Sequence, residues 1–373
     1  AYAITDELRR KVARMLPFKL TGAQKRVLRE IADDLLSPHP MNRLLQGDVG
    51  SGKTVVALLA LLIAIENGYQ GALMAPTEIL AEQHYLTFRK WLAPLGIRVA
   101  LVTADRREQD HLEIEGEAQI VIGTHALIYD NVAFSDLGLV VIDEQHKFGV
   151  SQRGKLIRQG VMPDVLVMTA TPIPRTLTLT IYGDLDVSLL DELPPGRGKI
   201  ITAVREKPKV TDVAKFVKEQ LEAGRQAYLV FPLVEDSASV KALSAKGEFE
   251  KWRKRLSKFE VGLLHGQIPA DEKDAVMKRF RNGELQALVA TTVIEVGVDV
   301  PNATLMVIFN AERFGLAQLH QLRGRIGRGE HKSYCILVTD GKSTEGNEKL
   351  AVMEQTRDGF VLAEEDLRLR GPG

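Results

Sequence analysis

Gly47-Asp48-Val49-Gly50-Ser51-Gly52-Lys53-Thr54 matches the phosphate-cradling pattern G-x-x-x-x-G-K-[ST] at every specified position. A short apolar run, Arg43-Leu44-Leu45-Gln46, leads in, and a Leu- and Ala-rich stretch over 55–67 leads out before Gly68. The flanks therefore predict strand, loop and helix in that order. Glycines at such a turn let backbone N–H groups and the helix N-terminus face phosphate oxygens. Gly50 and Gly52 would shape the cradle, Lys53 would reach the β and γ phosphates of a nucleoside triphosphate, and Thr54 would hold Mg²⁺.

Working outward, short apolar or β-branched runs at 72–75, 99–103, 120–122, 139–142 and 165–168 alternate with helical patterns. That alternation is the signature of a parallel sheet covered by helices on both faces. The turn-rich segment Leu193-Pro194-Pro195-Gly196-Arg197-Gly198 interrupts it and marks a boundary. A second set of strands follows at 227–231, 261–264, 287–290, 305–309 and 334–338, with helical patterns over 210–223, 240–259 and 271–281. The fold class is therefore α/β, with two similar lobes of which only the first has a phosphate loop. The expected organisation is a lead-in over 1–16, a first lobe over 17–195, a second over 196–345 and a helical tail over 346–373, with its helix at 349–369. A chain of 373 residues suits about two cores.

Two patterns stand upstream of the loop. Thr5-Asp6-Glu7 opens a short helix over 5–15, and Thr21 with Gln24 has the spacing of a capping box for the next helix. The Gln24 amide can also accept from and donate to one adenine edge at once, which would select ATP over GTP. The two readings are compatible.

Composition narrows the class. Hydrophobic residues make up 45% and charged residues 26%, and no apolar run approaches the roughly 18 residues that span a bilayer. With no secretory signal and one cysteine, Cys335, expected to be buried, a reducing cytoplasmic setting without membrane attachment is predicted. One cysteine builds no zinc or disulfide framework, and the eight histidines lack ligand spacing. Lys plus Arg number 49 and Asp plus Glu 49, so a nucleic-acid site must be local rather than a general basic surface. The opening Ala1 and the unfinished close at Arg370-Gly371-Pro372-Gly373 suggest a segment of something longer.

Asp143-Glu144 follows the strand at 139–142, at the carboxyl end where α/β sheets bind ligands. Phosphoryl transfer needs a metal bridging the β and γ phosphates and a positioned water. Asp143 would hold the metal, and Glu144 would orient or deprotonate the water.

Together, Gly47 to Thr54, Asp143-Glu144-Gln145-His146, Thr169-Ala170-Thr171 and Gln321-Leu322-Arg323-Gly324-Arg325-Ile326-Gly327-Arg328 resemble superfamily 2 helicase motifs in order. More narrowly, Gln145, Thr171-Pro172-Ile173-Pro174-Arg175-Thr176, Gly183-Asp184-Leu185-Asp186-Val187 and Phe314 to Gln321 resemble the RecG family of DNA branch-migrating helicases. Transcription-repair coupling translocases are similar but usually have Glu at the position of Gln145. A non-translocating, ATP-gated nucleic-acid clamp is the non-catalytic alternative, and RNA unwinding another, since phosphate contacts do not distinguish RNA from DNA.

The resemblance implies two tandem RecA-like lobes with a C-terminal helical extension, ATP and Mg²⁺ as cofactors, and a monomer acting on branched or duplex DNA in repair and recombination. It implies contact with single-stranded DNA-binding protein as well. Arg325 and Arg328 would stabilise charge on the transferring phosphoryl group, a role worth roughly 10³ to 10⁵ in rate. Their three-residue spacing predicts one shared helical face. Phe18, Gly297 and Asp299 would lie near the nucleotide. Pro76, Thr77, Gly123, Thr124, His125, Thr291 and Thr292 would contact a nucleic-acid strand, with His265-Gly266 and Arg313-Phe314 at strand-contacting or interlobe positions. Gln145, His146, Thr169, Thr171 and Gln321 would couple hydrolysis to lobe motion. The tail from Asp358 resembles the start of the family's helical hairpin. No stretch matches the family's wedge domain, so the resemblance covers ATP chemistry more fully than fork specificity.

Overall fold

Runs of apolar residues too short for helices, separated by helical patterns, pair side by side in one direction, and in the computed structural model every strand pairing among the described residues is parallel. The structure describes residues 3–103, 118–124, 127, 134–144, 163–170, 185–194, 198–206, 210–232, 238–291 and 300–370. The chain divides into two units, Ala1–Pro194 and Pro195–Gly373.

The described residues of the first unit form seven strands: β1 (Asn42–Gly47), β2 (Gln70–Met74), β3 (Val99–Val102), β4 (Ile120–Gly123), β5 (Leu137–Asp143), β6 (Asp164–Thr169) and β7 (Asp186–Leu190). They lie in the order β3-β4-β2-β5-β6-β1-β7. The interior strands β5 and β6 are buried at every position, as a sheet covered on both faces requires. Its described helices are α1 (Asp6–Met15), α2 (Gly22–Leu36), α3 (Lys53–Glu66) and α4 (Glu78–Leu92). Helix α3 is apolar all round, and Val55 to Ile65 are all buried, so it runs through the core directly from the phosphate loop. Thr5 caps α1 by accepting from Leu8 N at 3.2 Å.

In the second unit, β8 (Ile200–Glu206), β9 (Gln226–Val230), β10 (Val261–Leu264), β11 (Ala287–Ala290), β12 (Ala303–Phe309) and β13 (Ser333–Thr339) lie in the order β10-β11-β9-β12-β13-β8. Helices α5 (Val210–Glu222), α6 (Ala238–Arg255), α7 (Ala270–Arg281), α8 (Leu316–Arg323), α9 (Thr344–Gln355) and α10 (Gly359–Arg370) accompany them. Cys335 is fully buried in β13.

Three features depart from expectation. Strands β7 and β8, unforeseen, close one edge of each sheet; β7 pairs with β1 and β8 with β13. Their burial is intermittent because an edge strand is covered less completely. The tail helix expected over 349–369 is two helices, broken where Thr356 turns extended and the Asp358 carboxylate accepts from Phe360 N at 2.8 Å. A competing side-chain acceptor at an N-terminus starts a new helix.

Candidate active site

The parallel registers collect the first unit's motif residues on one sheet edge. Gln46 lies opposite Thr169, Asp143 opposite Met168, and Met74 opposite both Ile142 and Gly123. Gly47, Asp143, Thr169, Ala75 and Gly123 therefore end or follow neighbouring strands, the place where α/β folds bind ligands.

The phosphate loop is shaped by glycine at two positions, Gly50 at φ 78° and Gly52 at φ 90°. Gly52 caps α3, and a Cβ there would fall 2.1 Å from Gln24 Nε2. A Cβ at Gly47 would meet Ser51 Oγ at 2.6 Å. Lys53, the first residue of α3, donates from Nζ to the carbonyls of Gly47 at 2.7 Å and Asp48 at 3.0 Å. Its ammonium is thus drawn over the loop rather than into solvent. The Ser51 hydroxyl is fully buried without a hydrogen-bond partner.

Helix α2 braces this loop. The capping box at Thr21 and Gln24 forms, with Gln24 N donating to Thr21 Oγ1 and Thr21 N to Gln24 Oε1. Gln24 Nε2 then donates to Ser51 O at 3.0 Å, and the side chain is almost completely buried. Glu192, absent from the sequence reading, accepts from Ala23 N at 3.1 Å at the same helix start. Phe18 is exposed and meets Trp91 edge-on at 6.0 Å.

Asp143, the last residue of β5, is buried, and its Oδ2 lies 2.9 Å from His84 Nε2 on α4. His84 is another residue that sequence reasoning missed. Its signal was a polar residue in the stripe Leu80, His84, Phe88, Leu92 at four-residue spacing, where a buried imidazole requires a partner. Glu144 follows at φ 53°, a left-handed conformation that costs a residue with a Cβ roughly 1 kcal/mol or more, and its N–H donates to Met168 O at 2.9 Å. The bend redirects the chain at the strand end.

These groups fit a magnesium nucleotide. The helix start carries a lysine, and Thr54 and Asp143 carry hard oxygen donors of the kind such a group takes. Mg²⁺ is usually held by one or two carboxylates with the substrate's phosphates, so no larger acidic cage is needed.

Pro76 precedes Thr77, which caps α4 and accepts from Leu80 N at 3.4 Å. Gly123 has no room for a side chain, since a Cβ would stand 2.3 Å from Val102 O. Thr124 and Thr291, on different units, each bury a hydroxyl without a hydrogen-bond partner, as do Tyr228 and Thr304. Leaving such a group unpaired costs about 1–3 kcal/mol. Thr291 follows β11, and its N–H donates to Leu264 O at 3.1 Å, which sets it beside His265 at the end of β10. Burial, then the charges of Lys246 and Lys273, push the His265 pKa down, favouring the neutral imidazole.

The helical-face expectation for Arg325 and Arg328 fails. Helix α8 ends at Arg323, Gly324 caps it, and Gly327 at φ 75° turns the chain away. A Cβ at Gly327 would meet Ile200 Cγ1 at 2.6 Å, so the turn takes glycine there. Both arginines stand in the segment beyond the helix, Arg325 buried and Arg328 half-buried with its Nε donating to Gly324 O at 3.2 Å. Their charges partly counter the burial that raises the Tyr228 hydroxyl to about 12. Gln321 lies on α8 and is half-buried. His125, Gln145, His146, Thr171, Thr292, Gly297 and Asp299 lie outside the described residues.

Comparison with known proteins gives the class first. The DEAD/DEAH box helicase family model matches residues 21–180, and the helicase conserved C-terminal domain model matches 209–330. With two parallel sheets each covered by helices, these define a helicase core of tandem RecA-like lobes. The chain is 54% identical to the ATP-dependent DNA helicase RecG of Synechocystis sp., over 98% of this chain and 45% of that protein. It is likewise 54% identical to the ATP-dependent DNA helicase RecG of Bacillus subtilis, over 99% of this chain and 55% of that protein. A solved structure of RecG bound to a three-way DNA junction superposes with a TM-score of 0.88 at 48% identity, covering all of this chain and 50% of that one. Over nearly its whole length the chain is similar to RecG helicases. It spans about half the length of the curated relatives it matches.

Proposed function

We propose that the chain is the motor core of an ATP-dependent DNA translocase that couples ATP hydrolysis to movement on branched or duplex DNA, driving fork reversal and branch migration in repair and recombination. The observation that carries this reading is the shared sheet edge at which the phosphate loop, the Asp143-Glu144 pair and the strand-contact loops end. The similarity to a RecG bound to a DNA junction supports the choice of DNA.

In this reading Lys53 binds the β and γ phosphates, and the N–H groups around Gly50 and Gly52 hold them from below. Thr54 and Asp143 would hold Mg²⁺, which would supply charge neutralisation for the phosphates. Glu144 orients the attacking water and takes its proton, while Arg325 and Arg328 offset charge on the transferring phosphoryl group. Phe18 and Gln24 serve the adenine, with Gly297 and Asp299 on the nucleotide. Pro76, Thr77, Gly123, Thr124, His125, Thr291 and Thr292 grip a DNA strand through its phosphates, without reading sequence. Gln145, His146, Thr169, Thr171 and Gln321 couple the two events. We place the protein in the cytoplasm as a monomer, with single-stranded DNA-binding protein as a partner. Among the described residues no helix is long and apolar enough to cross a membrane.

The test is steady-state ATP hydrolysis with single-stranded, duplex and forked DNA, and RNA as the control. Stimulation should be greatest with duplex or forked DNA and should vanish in Lys53→Ala, Glu144→Gln and Arg328→Ala. Stimulation by RNA alone, or full turnover in those variants, refutes the reading.

A further inference from the structure

His84 occupies an inward position of α4 that packing alone would give to Leu. It is 5% exposed, its ring lies 6.2 Å from that of Phe88, and the residues one turn to either side, Leu80 and Phe88, are apolar core. Burying an imidazole costs free energy unless its nitrogens are satisfied. Its Nε2 is spent on Asp143 Oδ2 at 2.9 Å, the side chain at the very end of β5. A carboxylate that ligates a metal is ordinarily held by hydrogen bonds from behind, and loss of such a partner typically costs 10- to 100-fold in metal affinity or activity.

We propose that His84 is a positioning residue whose Nε2 holds Oδ2 of Asp143, so that the carboxylate keeps one orientation for the Mg²⁺ that accompanies ATP. This rests on the reading of Asp143 as the metal carboxylate. A core histidine that merely found the nearest acid would contribute to stability and leave the metal untouched. A positioning histidine changes how strongly Mg²⁺ tightens nucleotide binding, whether or not ATP is hydrolysed.

The experiment measures binding of a fluorescent ADP across a Mg²⁺ titration, with an EDTA baseline, alongside thermal unfolding. It uses the 373-residue chain and the variants His84→Leu, His84→Gln, His84→Asn and Asp143→Asn. His84→Leu should raise the half-saturating Mg²⁺ concentration about 10-fold while leaving the EDTA baseline unchanged. His84→Gln, whose amide nitrogen reaches the position of Nε2, should restore most of the response; His84→Asn, which is polar but too short, should not. Should His84→Leu fail to fold, the contrast between Gln and Asn decides, and equal Mg²⁺ responses in those two overturn the proposal. A normal response in His84→Leu with a weakened one in Asp143→Asn also overturns it but leaves the metal reading standing. An unchanged response in Asp143→Asn removes the metal reading, and this proposal with it.

Discussion

Gln24 Nε2 donates to the Ser51 carbonyl at 3.0 Å while Oε1 of the same amide accepts from Thr21 N at 3.0 Å, so one side chain ties the start of α2 to the middle of the phosphate loop. Gln24→Ala leaves a buried carbonyl short of a partner, at a cost of about 1–3 kcal/mol in denaturant unfolding. Gln24→Glu keeps the cap on α2 but sets an acceptor against an acceptor at Ser51 O. It should therefore lose nucleotide affinity while α2 stays helical, as fluorescent-nucleotide titration and circular dichroism can report.

Gly52→Ala should abolish nucleotide binding. The new Cβ would overlap Gln24 Nε2 at 2.1 Å and would have to sit at φ 90°. Gly68→Ala is the control, since φ is 86° there but nothing lies within 4 Å. It should cost only the left-handed penalty of about 1–2 kcal/mol, with binding intact. Equal binding by both variants contradicts the cradle geometry.

Arg43 holds the edge strand β7 to the rest of its sheet. Its Nε and Nη2 grip both oxygens of Asp34 at 2.6 and 3.1 Å, and Nη1 donates to Ser188 Oγ at 3.0 Å. The Ser188 hydroxyl in turn donates to Glu30. Removing the cation leaves the partly exposed Asp34 and Glu30 carboxylates without it, so Arg43→Ala should destabilise by about 1 kcal/mol. Hydrogen exchange should locate the loss at 186–190.

Burial pushes the Cys335 thiol from 9.0 to about 12 against the opposing charge of Arg323, and the Tyr228 hydroxyl from 10.0 to about 12. The folded chain therefore keeps protons that the unfolded chain releases. Their contribution is full below about pH 9 and is lost as the pH rises toward 12. Urea midpoints near pH 8 and near pH 10.5 should differ more in the parent chain than in Cys335→Ala/Tyr228→Phe. Cys335 should react with thiol reagents only as fast as the chain opens.

Arg323 joins α8 to the C-terminal helices, with Nη1 donating to Met353 O and Thr356 O at 2.8 Å each and Nη2 lying 3.1 Å from His320 Nδ1. Lysine has a single ammonium in place of this fork. Arg323→Lys should make the chain more susceptible to limited proteolysis at 356–358, and cleavage no faster than in the parent chain contradicts the joint.

The sequence made the interior of each sheet plain, because interior parallel strands such as β5 and β6 are unbroken apolar runs. It hid β7, whose Asp186 and Ser188 are polar, and β8, whose β-branched residues stand beside Pro194-Pro195-Gly196 and yield to the turn reading. The strand, glycine turn and helix over 42–66 were legible because they depend on local spacing. His84, Glu192 and Trp91 were not, since each meets its partner across tens of residues and the pairing exists only once the sheet has formed. The arginine segment was misplaced for the opposite reason: helical spacing was extended past Gly324 and Gly327, where glycine ends it.

The strand that feeds the phosphate loop, β1, has both of its neighbours far downstream: Asn42 to Gln46 pair with 165–169, and Arg43 to Gly47 with 186–190. On a ribosome that releases the N-terminus first, residues 47–54 emerge early, yet the sheet beneath them closes only after residue 190 has been made. Such long-range parallel pairing folds slowly and leaves unpaired strand edges exposed meanwhile. The glycine loop at 47–54 is thus among the first parts of this unit to be synthesised and among the last to be assembled.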